Sequence, residues 1–277
     1  MDMQHLTLFK IIILAVIQGL AELLPVSSSA HVIVAEKFMG FRATTPEMVY
    51  LLVMLHTGTM FAVITYFWRD WKALLLDRQR RKNLFWMCFW GTGATGVVGL
   101  TLMEVIEKGF LHGRAVENIF GNVTLISVAL ACSGILILFS TAKRWKKNES
   151  EAKNQSVKLG VWVGAVQGLC LPFRGFSRSG ATISVGMIAG MTKRFSEQFS
   201  FLLAVILTPP VIVREILRME HSGVKPHFVP GLIGLFFSFL AGLVAIAWLS
   251  RWLEKGKWGY FGIYCLIFSA VLFFHIL

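Results

Sequence analysis

Charge is scarce in this chain: 15% of its 277 residues are Asp, Glu, Lys or Arg, 56% are hydrophobic, and mean hydropathy is +0.67. Soluble domains carry about 25% charged residues, so a soluble enzyme is excluded. Cysteine is scarce too. Cys88, Cys132, Cys170 and Cys265 each lie in an apolar run without CxxC spacing, which excludes a disulfide framework and a zinc site and leaves core packing as their expected role. The start lacks a basic segment and a small-residue cleavage site, so the first apolar stretch is expected to be retained. A formal charge of +12 raises nucleic acid as a partner, but that requires a basic face on a soluble scaffold, and none is expected here.

What the chain does have is long apolar runs, near 49–68, 84–106, 121–141, 199–218, 229–250 and 258–276. Each approaches the roughly 20 residues that span a bilayer, which predicts six transmembrane helices. Lys and Arg fall asymmetrically between them: six in 69–82, six in 142–158, two in 192–198 and three in 251–257. The alternate loops hold only Arg42, Lys108, Arg114 and Lys225. The positive-inside rule places the first set in the cytoplasm and both termini on the opposite side of the membrane.

Two further apolar regions are broken, 8–40 by LPVSSSAH and 159–191 by LPFRGFSRSG. Each half is too short to span, which predicts two re-entrant helix-loop-helix pairs with irregular backbone turned away from lipid. Gln18-Gly19-Leu20 recurs as Gln167-Gly168-Leu169, followed each time by proline and serines, and each region precedes three spans that begin on opposite sides. The fold expected is an all-α integral membrane protein: one polytopic domain over 1–277, with inverted-topology repeats at about 1–145 and 156–277 that meet between Lys143 and Gln155. Such repeats bring their broken helices together near the midplane, with helix N-termini aimed at an anionic ligand.

Among the fifteen carboxylates, Glu22 alone is read as lying deep in an apolar run, where a charge is costly unless paired or functional. Gln18, four residues earlier, shares its helix face. Together they suit a hard divalent cation, Mg²⁺ or Ca²⁺, that draws its other ligands from water and phosphate. The alternative is a carboxylate that merely ties down a broken helix. Ser27, Ser28 and Ser29 follow Pro25 and suit a helix cap, which in a polar cavity is also an anion site. His31, about a turn beyond Ser28, is placed to orient or deprotonate a hydroxyl or a water. In the second region Arg178 stands between Ser177 and Ser179, with Thr182 following. Its forked donors, the hydroxyls, and the freedom of Gly175 and Gly180 make a phosphate cradle. The competing role for Arg178 is a structural ion pair with Glu22. Arg174 is expected only to snorkel or flank the cavity.

These motifs resemble the bacterial undecaprenyl-diphosphatases, also known as bacitracin-resistance proteins, which regenerate the lipid carrier of cell-wall synthesis. The resemblance rests on Gln18 and Glu22, on Pro25 to His31, on RGFSRSGAT at Arg174 to Thr182, and on LHTG (Leu55–Gly58), YFWR (Tyr66–Arg69) and FSFLLA (Phe199–Ala204). Arg174 departs from the family's usual proline and Ala30 from its common glycine, both bearing on loop geometry. The resemblance implies a metal-dependent membrane hydrolase that converts a polyprenyl diphosphate to the monophosphate and inorganic phosphate, with Glu22, Ser28, His31 and Arg178 at the essential positions. Attack by Ser28 and attack by water both remain open, and a homodimer is compatible with the reading. The rival from another class is a secondary transporter or flippase for the same lipid, since inverted repeats with broken helices also serve alternating access.

Overall fold

The computed structural model describes residues 8–40, 46–109, 111–112, 116–142, 156–222 and 228–275. Regular structure among them is helical: α1 (Leu8–Leu23), α2 (Ser28–Met39), α3 (Pro46–Leu76), α4 (Arg78–Gly109), α5 (Val123–Ala142), α6 (Val157–Leu169), α7 (Arg178–Ile188), α8 (Lys193–Ser222), α9 (Phe228–Glu254) and α10 (Trp258–His275), with a 3-10 turn at Val116–Ile119. The expected repeat boundary at Lys143 to Gln155, and Arg42, Arg114 and Lys225 of the sparsely charged loops, lie outside the described residues.

Five helices are long and apolar enough to cross a bilayer: α3, α4, α5, α8 and α9. The sixth expected span is α10, whose 18 residues extend about 27 Å, slightly under a hydrocarbon core of about 30 Å. The exterior suits lipid: on α4 alone, Phe85, Phe89, Trp90, Val97 and Leu100 are each more than half exposed. An apolar surface on that scale is a liability in water and the norm in a membrane. The expected multi-pass, all-helical membrane protein is therefore borne out.

Both broken regions form short helix pairs, as their proline and serine clusters predict. α1 and α2 have 16 and 12 residues, about 24 and 18 Å; α6 and α7 have 13 and 11, about 20 and 17 Å. The first pair folds back as a hairpin, since Lys10 Nζ near the start of α1 donates to the Met39 carbonyl at the end of α2, 3.1 Å away.

The chain divides into two compact units. The first comprises residues up to Leu24, Ser28–Phe67 and Ala204–Leu249. Its core joins α1, α2 and α3 through Ile11, Leu14, Ala15, Val32, Leu51 and Leu55. α9 closes on it at Gly19 of α1, where a Cβ would lie 2.6 Å from the Ser238 carbonyl oxygen, and Ser238 Oγ donates to the Leu55 carbonyl at 2.9 Å. Small residues with hydroxyl bonds are how helices associate where the solvent is itself apolar.

The second unit comprises Pro25–Ser27, Trp68–Leu203 and Ser250–Leu277. α6 lies against α4 through glycine contacts. A Cβ on Gly168 would lie 2.8 Å from the Thr95 carbonyl oxygen, and Thr95 Oγ1 donates to the Gly164 carbonyl at 2.8 Å. α10 packs on α5, with Ser269 Oγ donating to the Ser127 carbonyl at 2.6 Å, and the Trp258 indole N–H reaches Ser140 and Ser184. The four cysteines are free. Cys265 is buried and Cys88 and Cys170 half-buried, but Cys132 is exposed, so core packing does not describe that residue. Its position on α5 faces outward, where a thiol is apolar enough for lipid.

Candidate active site

The first constellation forms where α1 ends. Pro25 has no N–H to extend the helix, and Ser27 takes a φ of +66°, a left-handed conformation uncommon for a residue with a Cβ and typical of functional turns. The turn sets Ser28 at the start of α2 and returns it to the last turn of α1. There Ser28 Oγ donates to Glu22 Oε2 at 2.6 Å, and Gln18 Nε2 donates to the same oxygen at 3.0 Å. The Gln18–Glu22 spacing thus places both groups on one face, as expected. Gln18 is 1% exposed, whereas 16% of the Glu22 side chain remains accessible. Ser29 and His31 continue along α2 and are half-buried, and Ser27 is buried.

A residue not singled out from the sequence completes this constellation. His56, within α3, accepts from Gln18 Nε2 at its own Nε2 (3.1 Å) and lies 3.6 Å from Glu22 Oε2. Its Nδ1 is 2.7 Å from the Leu52 carbonyl. The signal was present: a histidine inside an apolar run invites the same question as Glu22. Conversely, Glu22 is not the most buried acid. Glu36 and Glu197 are 3% and 2% exposed, although the sequence puts them near helix ends. Glu197 is bonded by Ser250 Oγ at 2.5 Å, since the end of α9 lies beside the start of α8.

The second constellation lies in the second unit, at the start of α7. Ser177 is its N-cap: the side chain accepts from the Gly180 N–H at 3.2 Å, and the Ser177 N–H donates to Ser133 Oγ of α5 at 2.7 Å. Arg178 opens the helix, half-buried, and Ser179 is buried beside it. Thr182 Oγ1 donates to the Arg178 carbonyl at 2.8 Å and lies 2.5 Å from Ser200 Oγ of α8. The capping hydroxyl, the helix N-terminus and an arginine at its first residue together make an electropositive end. Gly175 has φ +102°, and a Cβ there would lie 2.8 Å from Ile126 Cα, so backbone and packing both demand glycine. Arg174 stacks over Phe120, 4.5 Å from the ring centroid, as a flanking group would.

Among the described residues no three His, Cys, Asp or Glu side chains converge as a metal cluster. Beside the Glu22 carboxylate stand the Ser28 hydroxyl, the His56 imidazole and the Gln18 amide, which meets the carboxylate with its nitrogen and would have to turn to offer its oxygen. That fits a divalent cation which takes few protein ligands and completes its shell with water and phosphate oxygens.

A sequence profile described as "Bacitracin resistance protein BacA" matches residues 11–271. The chain is 50% identical to undecaprenyl-diphosphatase 2 of Acinetobacter baylyi, over 98% of this chain and 99% of the relative. It is 31% identical to undecaprenyl-diphosphatase 2 of Burkholderia ambifaria and 30% identical to that of Burkholderia orbicola, each over 95% of this chain and 94% of the relative.

Proposed function

Since the chain belongs to the bacitracin resistance protein BacA family, we propose that it is a membrane hydrolase that dephosphorylates undecaprenyl diphosphate to the monophosphate, recycling the lipid carrier of peptidoglycan synthesis. The observation that carries the chemistry is the 2.6 Å bond from Ser28 Oγ to Glu22 Oε2. Glu22 accepts the Ser28 proton as the oxygen attacks the terminal phosphorus. The bond from that phosphorus to the bridging oxygen breaks, and undecaprenyl phosphate leaves. Water then releases inorganic phosphate from the seryl ester, with His31 orienting the attacking group.

Arg178, the Ser177 and Ser179 hydroxyls and Thr182 hold the phosphoryl oxygens, as preorganised donors aimed at developing charge. Ser27 and Ser29, which flank Ser28, and Gly175, which lets the second turn approach closely, complete the substrate-binding set. A divalent cation held by Glu22 and Gln18 would neutralise diphosphate charge, and oxygen ligands alone suit Mg²⁺ or Ca²⁺. Purified protein in detergent is expected to release inorganic phosphate from undecaprenyl diphosphate and to stop when a chelator is added. Binding of the lipid with no phosphate released would favour the flippase reading instead.

The inverted repeat is supported by a reciprocal contact. Gly19 of α1 packs on α9, and Gly168 of α6 packs on α4. With α1–α5 as one repeat and α6–α10 as the other, the first helix of each meets the fourth helix of its partner. The short helix pairs are then re-entrant, six crossings remain, and both termini lie outside the inner membrane. A cysteine replacing Ser222 is expected to react with an impermeant thiol reagent on intact cells lacking the native cysteines, and one replacing Ser150 is not. The reverse pattern inverts the orientation.

A further inference from the structure

α4 and α6 run parallel and close. Met87 meets Gly160 and, eight residues further along each helix, Thr95 meets Gly168; a Cβ at either glycine would lie under 3 Å from the facing carbonyl oxygen. With glycine at the contact, the large side chains lie at the flanks. On one flank Trp90 of α4 and Trp162 of α6 stand at matching levels, 51% and 64% exposed, and with Val157, Lys158 and Val161 they line an open groove of about 360 Å³. The Trp90 wall is braced by Phe89, whose ring meets it edge-on with the centroids 5.4 Å apart. Trp86 and Lys82, one and two turns earlier on α4, continue the same stripe. Lys158 precedes Trp162 by one turn of α6, about 6 Å, so both lysines stand at the end where the two helices begin.

We propose that this groove binds one anionic diacyl phospholipid, with its phosphate on Lys158 and an acyl chain between Trp90 and Trp162. Charge selects the occupant. α6 carries no carboxylate and α4 none before Glu104, near its far end, whereas α4 opens with Arg78, Arg80, Arg81 and Lys82. Asp77 pairs with Arg80 alone of these, at 3.4 Å, so positive charge stays in excess. Basic pockets between membrane helices recognise anionic head groups in this way. Lys158 also stands in the first turn of α6, where the helix dipole disfavours a cation, and a bound anion turns that placement into a favourable one. The vertical order fits a phospholipid: lysine outermost, then the indoles at the level where tryptophan belts meet the head-group region, then apolar surface. A second copy of the chain would bring the same basic face, and like charges would meet across a two-fold contact. The substrate diphosphate is held elsewhere, since α6 runs on for about 17 Å from Lys158 to Leu169 before the turn that carries Arg178.

The test titrates phosphatidylglycerol or phosphatidylcholine, with identical chains, into the delipidated full chain in detergent and counts bound lipid by native mass spectrometry. Wild type is expected to hold one phosphatidylglycerol at least ~5-fold more tightly than phosphatidylcholine. Lys158→Gln should remove that preference, whereas Lys255→Gln, which neutralises an exposed lysine just beyond α9, should keep it. Trp90→Ala combined with Trp162→Ala should weaken both lipids by at least ~5-fold, because the chain loses its apolar walls. Equal affinity of wild type for the two lipids overturns the inference. Equal losses in Lys158→Gln and Lys255→Gln also overturn it, since they would leave surface charge only. Displacement of phosphatidylglycerol by equimolar undecaprenyl phosphate would give the groove to the substrate's own tail. A dimer that dissociates in the tryptophan variant while lipid binding is unchanged would make the groove an interface between copies, and either result overturns the proposal. Should the tryptophan variant not fold, the two lysine variants still decide, since each changes only an exposed side chain.

Discussion

The two broken regions share a sequence but not a task. Gln18-Gly19-Leu20 and Gln167-Gly168-Leu169 each lie toward the end of the first helix of a pair, and in both the glycine lies against the backbone of a neighbouring helix. The glutamines then part company. Gln18 has Glu22 four residues on and gives its amide to that carboxylate and to His56. Gln167 has Leu171 there, its amide nitrogen reaches Thr95 at a long 3.4 Å, and its carbonyl oxygen is buried without a hydrogen-bond partner among the described residues. The serine clusters differ likewise: Ser28 bonds a carboxylate, whereas Ser177 caps a helix that opens with Arg178. Packing is what the repeat preserves, and the charged groups are what it has divided, a carboxylate in the first region and a guanidinium in the second.

That division can be broken from either side. Glu22→Gln carries the largest expected effect: phosphate release falls by ~10³-fold or more, because a proton acceptor and a cation ligand are lost together. The variant should still insert and purify as a folded species, and turnover within tenfold of wild type would remove Glu22 from the chemistry. Arg178→Lys keeps the charge but not the planar fork, and is expected to cost ~10²-fold in kcat with undiminished thermal stability. Near-wild-type turnover would leave Arg178 as a structural cation only.

Two smaller effects sharpen the shared half of the comparison. Gly19→Ala and Gly168→Ala each place a Cβ under 3 Å from a backbone carbonyl oxygen, so both should lower stability in a thermal melt by about 1–3 kcal/mol. A large loss at one site with none at the other would argue against equivalent packing. Gln167→Leu carries the smallest expected effect. It removes a buried, half-satisfied amide, so stability should stay within about 1 kcal/mol or rise, with turnover unchanged within twofold, whereas Gln18→Leu should lose activity by ~10-fold or more.

Much of this was legible in the sequence because bilayers leave few options. Runs of bilayer length had to be helices, and Pro25 and Pro172, each beside a serine cluster, had to mark breaks. Gln18, Glu22 and Ser28 were legible as candidates because polar groups in apolar runs call for an explanation. His56 was passed over as a site residue although LHTG counts toward the resemblance: it lies in an unbroken apolar run, and its partners on α1 are 38 and 34 positions away in the chain. Glu197 was masked differently. It sits in a polar segment that reads as a loop, and in the fold it is buried and meets Ser250 at the end of α9. Burial that depends on a partner distant in sequence leaves no periodic trace.

The function proposed above requires the carboxylate of the first broken region and the guanidinium of the second to serve one diphosphate. Ser27 and Ser177 lie at the turns that precede α2 and α7, and Pro25–Ser27 belongs to the same compact unit as Ser177, with the Pro25 carbonyl accepting from Cys265 Sγ at 3.2 Å. Crosslinking tests the claim most directly, in a chain whose native cysteines are replaced and which carries Ser27→Cys and Ser177→Cys. The account predicts that a short bifunctional thiol reagent bridges the pair in folded protein, and that undecaprenyl diphosphate slows the reaction. A pair that never bridges, in protein that still binds the lipid, would contradict it.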